Sequence, residues 1–125
     1  MKRIILAIFC LLGTPMLVFA ATGTSVSGTS LYQQCTAAPE TEANHLCEVW
    51  VIGFTTGLTD TQAMIAAKHG APVTCIPLGE GGASPDQVRL IIEKFMRNYP
   101  QLLNYPADIV ALKAINLAFP CSKSN

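Results

Sequence analysis

The groups in this 125-residue sequence that could do chemistry are five cysteines, two histidines and eight acidic residues. A cysteine thiolate can bind a metal or attack as a nucleophile. Four of the five, Cys35, Cys47, Cys75 and Cys121, follow an export signal and contain no Cys-x-x-Cys. An even cysteine count in an exported chain reads as two disulfides, so neither a metal site nor a cofactor is expected. His45 and His69 are 24 residues apart on one predicted helix. That is about 36 Å, so within one chain they cannot share a site, and surface or capping roles are expected. Asp60 stands in an otherwise uncharged stretch of the same helix. Acid–base work needs a partner, and no second carboxylate has a spacing that pairs with it there. A hydrogen bond from Asp60 to a loop or helix end is the favoured reading. No Ser-x-x-Lys, Gly-x-Ser-x-Gly or phosphate loop occurs, and the sequence reads as a non-enzyme.

One further stretch has two readings. Gly79-Glu80-Gly81-Gly82 lacks the lysine and the preceding strand of a phosphate loop. It is either a flexible linker, the favoured reading, or an exposed loop that docks into a partner with Glu80 at its tip.

The elements that position these residues are helices, and the expected class is all-α: a small four-helix domain with a long central helix. Residues 1–20 are a secretory signal peptide. Lys2 and Arg3 precede an apolar run, and Val18-Phe19-Ala20 is a small-x-small cleavage site. Phe9 before Cys10 argues against lipidation there. Residues 21–29, mostly Thr, Ser and Gly, read as a flexible tail, residues 30–121 as the domain, and 122–125 as a second tail. Signal removal takes two of the eight basic residues and leaves a slight acidic excess with no basic face, which disfavours nucleic acid. No membrane segment is expected after cleavage.

Ser30–Cys35 is expected as a short first helix. The central helix is expected over Asn44 to His69, capped by Thr41 or Asn44 and ended by Gly70 with Pro72 beyond. Leu46, Val49/Trp50, Gly53, Thr56/Gly57, Asp60, Met64 and Ala67 mark one stripe on it. Each interior glycine costs about 1 kcal/mol relative to alanine. The expected reason for Gly53 and Gly57 is close approach of another helix, which makes Trp50, Gly53, Gly57 and Asp60 packing residues. Ser84-Pro85-Asp86-Gln87 is a capping-box start for a third helix, with Val88, Ile91, Ile92, Phe95, Met96 and Tyr99 at helical spacing. A fourth helix begins near Pro106. Its faces are nearly all apolar, so burial on more than one side is expected, and Pro120 stops it.

Spacing alone leaves three cysteine connectivities open. Antiparallel neighbouring helices decide between them. Cys35 and Cys47 then lie at one end of the bundle, and Cys75 and Cys121 at the other. The expected bridges are therefore Cys35–Cys47 and Cys75–Cys121, because the alternatives span a helix length.

The ordered set of residues resembles the Tai/Rap family, the type VI secretion amidase immunity and resistance-associated proteins. The matching residues are Cys35, Cys47 with Trp50, Ile52, Gly53, Gly57 and Asp60, then Cys75-Ile76-Pro77, Gln87-Val88, Phe95 and Tyr99-Pro100. Pro106-Ala107, Val110, Ala114 and Phe119-Pro120-Cys121 complete it. Trp50 stands where Tyr or Phe would be expected, and the glycine-rich loop is longer. The resemblance implies a periplasmic protein, often a homodimer, that binds a peptidoglycan amidase toxin and blocks its active site without catalysis. Gly79, Glu80, Gly81 and Gly82 would then be the candidate plug. The alternatives are a periplasmic acid-stress chaperone and a small structural envelope protein with no toxin partner.

Overall fold

The structure, a computed structural model, describes residues 25–70, 74–77 and 82–121. The signal-peptide segment 1–20, residues 21–24, Gly79, Glu80, Gly81 and residues 122–125 lie outside the described residues. Among the described residues there are four α-helices and no strand: α1 (Gly28–Cys35), α2 (Glu42–His69), α3 (Pro85–Asn98) and α4 (Ala107–Ala118). A 3₁₀ turn, Pro100–Leu102, links α3 to α4. The protein is an all-α, four-helix domain with a long second helix.

Local chemistry places the helix ends. The Thr41 hydroxyl accepts from the Asn44 N–H and starts α2, and Gly70 ends it in the left-handed conformation at φ 74°. Ser84 and Gln87 form the reciprocal capping box of α3, with Pro85 in the first turn. The bridges Cys35–Cys47 and Cys75–Cys121 each hold their Cα atoms 5.0 Å apart. They close sequence separations of 12 and 46 residues. Chain entropy alone makes these worth about 3 and about 4 kcal/mol.

The core lies where α1 and α3 pack against the inner side of α2 and α4 packs against α3 and α1. Leu31, Val51, Val88, Ile92, Met96 and Ile115 are all essentially inaccessible. Each such side chain contributes roughly 1.5–3 kcal/mol by burial. α4 buries a single stripe, Ala107, Val110, Ala111, Ala114 and Ile115. Ile109 and Leu117 remain exposed, so α4 is covered on one side rather than several. Its small residues at i, i+3/i+4 spacing let it lie close to the core, and no described element covers its back.

Two further expectations are corrected. Residues 21–29 are not a tail throughout. Ser27 caps α1, which starts at Gly28, and the segment 26–29 is tied to 103–107. The Gly28 N–H donates to the Tyr105 carbonyl at 2.8 Å, the Thr29 N–H to that of Leu103 at 2.9 Å, and the Ala107 N–H to that of Val26 at 2.8 Å. A Cβ on Gly28 would lie 2.9 Å from the Leu103 oxygen, so glycine is required for this approach.

The second correction concerns α2. Gly53 and Gly57 are exposed, and a Cβ on either meets nothing within 4 Å. No described helix crosses them. The buried side of α2 is the opposite one, with Cys47, Val51, Thr55 and Gln62. Helix length explains why. α2 has 28 residues, whereas α1, α3 and α4 have 8, 14 and 12. α1 and α3 pack on one side of a rod about 42 Å long, α4 lies against α3 and α1, and no described helix covers the other side.

Candidate functional site

A site must be built from what the fold leaves accessible, and the described residues offer no catalytic one. His45 and Glu48 approach to 3.6 Å one turn apart, both well exposed, at the start of α2. His69 occupies its last turn. No group of three or more His, Cys, Asp or Glu side chains among the described residues could hold a metal ion. Asp60 is exposed and makes no side-chain hydrogen bond to any described residue. Buried polar groups serve the scaffold. The Thr55 hydroxyl donates to the Val51 carbonyl, and the Gln62 amide donates to the Thr74 hydroxyl, pinning the chain that leaves α2. No buried side-chain nitrogen or oxygen among the described residues is left without a partner.

Three accessible features remain. The first is the stem of the glycine-rich loop. The Ala83 N–H donates to the Pro77 carbonyl at 2.7 Å, so the chain enters and leaves residues 78–82 at one point. The adjoining Ile76 is buried, and Cys75 is bonded to Cys121, which fixes that point to the end of α4. Gly82 is half-buried and the other three candidate loop residues lie outside the described ones.

The second feature is an acidic depression at the start of α2, lined by Glu40, Thr41, Glu42, Asn44, His45 and Glu48. Glu42 stands in the first turn, where the helix dipole favours negative charge. Glu40 holds the left-handed region at φ 66°, which shapes the turn into the helix.

The third feature is the open line of α2. Glu42, Leu46, Val49, Gly53, Gly57, Asp60 and Met64 all lie within about 40° of one line along the helix. Every one is exposed, with Leu46 48%, Val49 52% and Met64 74% accessible. Trp50 sits at the edge of this line, half-buried and stacked on Phe54 at 5.2 Å. Of the residues expected to pack another helix, Trp50 alone is partly covered, and Gly53, Gly57 and Asp60 face outward. The stripe was visible in the sequence, but its direction was not. The signal that could have supplied it is Cys47, whose bridge to Cys35 turns its own side of α2 toward α1.

The family model of the Rap1a immunity proteins matches residues 27–121, which span all four helices and both disulfides. No curated protein and no solved structure matches the chain. The match begins at the α1 cap and ends at the last bridging cysteine, so it covers more than half of the chain and the whole described bundle, and the chain belongs to the Rap1a immunity protein family.

Proposed function

We infer that this protein is a periplasmic immunity protein that binds a type VI secretion peptidoglycan amidase and blocks its active site, acting as a homodimer. The observation that carries this reading is the family match across all four helices, since immunity proteins act by binding a toxin. The described surface suits the task. It presents no catalytic constellation, and two bridges hold the bundle rigid before any partner arrives. A preorganised binder loses less conformational freedom on association.

The Gly79–Gly82 loop, with Glu80 at its tip, is the proposed plug. Its stem is closed by the Ala83–Pro77 hydrogen bond, so it leaves the bundle from a fixed base. A carboxylate there would meet a basic group in the amidase cleft. The signal-peptide reading of residues 1–20 and the paired cysteines support a periplasmic location. The test is co-purification of the mature protein with a type VI secretion peptidoglycan amidase. Retention of the amidase by the wild type and its loss on deletion of Gly79–Gly82 are expected. Failure to retain it would reject this reading, and full retention by the deletion variant would reject the loop as plug.

A further inference from the structure

We propose that the Cys75–Cys121 bridge is a site of thiol–disulfide exchange with a dithiol reductant, to which Cys35–Cys47 is closed. Its redox state then decides whether the stem of the glycine-rich loop is held to the end of α4. The exchange does not depend on the inhibition reading, whereas its effect on a toxin rests on the loop being the plug.

The two bridges differ in access. Cys35 and Cys47 are 3% and 0% accessible and belong to the same buried cluster as Leu31 and Val51. Cys121 is exposed and Cys75 half-buried. Exchange begins when a thiolate attacks one sulfur of the bridge, so a bridge reacts only where a sulfur can be reached. Reaching the first requires α1 to part from α2, which it packs against. The second is reached with the bundle closed.

The bridges also differ in what they hold. Cys35–Cys47 joins two helices that already share the core. Cys75–Cys121 joins the link between α2 and α3 to the chain beyond α4. Each of its ends has an anchor of its own. Thr74 accepts from the Gln62 amide and Ile76 is buried. α4 buries its stripe of five residues, and residues 103–107 are tied to 26–29 by backbone hydrogen bonds. Opening the bridge therefore leaves the bundle packed. What it removes is the link between those two anchored ends, two residues before Pro77, whose carbonyl closes the loop stem with the Ala83 N–H.

The exchange proceeds in two displacements. A thiolate of the reductant attacks Sγ of Cys121, the bond to Cys75 breaks, and Cys75 leaves as a thiolate that takes a proton. The second thiolate of the reductant attacks its own sulfur in the mixed disulfide and releases Cys121, which is protonated in turn. The chain gains two electrons and two protons, and the dithiol becomes a disulfide.

Timed reduction of the folded mature protein tests the exchange. Dithiothreitol is applied without denaturant, free thiols are trapped with N-ethylmaleimide, and the labelled cysteines are located by peptide mapping. Initial rates are compared, so later loss of fold does not enter. Cys75 and Cys121 are expected to label at least about tenfold faster than Cys35 and Cys47. A thioredoxin variant that keeps its attacking cysteine and lacks the second is expected to be caught on Cys121. Equal rates for the two bridges, faster labelling of Cys35 and Cys47, capture at any other cysteine or no capture would each overturn the proposal.

Cys75→Ser combined with Cys121→Ser reproduces the open state. This variant is expected to keep its helical circular dichroism and the Cys35–Cys47 bridge, and to retain the amidase several-fold more weakly than wild type. Loss of the helical signal would make the bridge a staple of the fold, and retention equal to wild type would show that the stem does not need it. Either result overturns the switch. A wild-type protein that retains no amidase rejects the inhibition reading instead, and the labelling rates still decide the exchange.

Discussion

Gly28 and Gly57 are the same residue in opposite surroundings. A Cβ on Gly28 would lie 2.9 Å from the Leu103 oxygen, whereas one on Gly57 meets nothing within 4 Å. The first lies in a segment of backbone hydrogen bonds between residues 26–29 and 103–107. The second lies in the middle of the longest helix, on its open side. The contrast separates two demands on one small domain. The short first helix makes the close approach that the fold needs, and the long helix keeps a smooth outer line that the fold does not use.

Substitutions on the two sides sharpen the contrast in graded steps, each read from the midpoint of urea unfolding at constant slope and at concentrations low enough to keep the protein monomeric. The largest effect is expected at the inner side. Ile92→Ala should cost about 2–5 kcal/mol, because Ile92 is fully buried and its removal leaves a cavity. A cost below about 1 kcal/mol would mean that the core is not packed as described. Gly28→Ala should cost about 1–3 kcal/mol, since the backbone of Leu103 must move away. At Gly57→Ala the sign reverses. With open space around it, alanine should stabilise the monomer by up to about 1 kcal/mol through helix propensity alone. A destabilisation there would show that something in the chain does approach this helix. The smallest effect is expected at Met64→Ala, within about 0.5 kcal/mol, because Met64 is 74% accessible.

Much of the fold was legible because it is written in local chemistry. Ser84, Pro85 and Gln87 announce the start of α3, and Gly70 the end of α2. The four-helix class follows from such punctuation. The direction of α2 did not follow. Both of its sides carry apolar residues, with Leu46, Val49 and Met64 on one and Val51, Phe54 and Leu58 on the other. Periodicity identifies a stripe, but it does not say which stripe faces the core. Gly28 was missed for a related reason. A glycine in a Thr- and Ser-rich run looks like linker, and only the distant return of residues 103–107 makes it a contact. The surface left open for a partner was not legible, since it depends on which elements the bundle leaves uncovered.

Inhibition by binding is read from a titration of amidase activity. Purified mature protein is added in steps to a fixed concentration of the amidase that it retains in co-purification, well above the dissociation constant, with peptidoglycan hydrolysis as readout. A linear fall to zero at one protein chain per amidase, independent of incubation time, is expected. Full activity at a large molar excess would contradict it. So would complete inhibition at far below equimolar protein, which would require this chain to act as a catalyst.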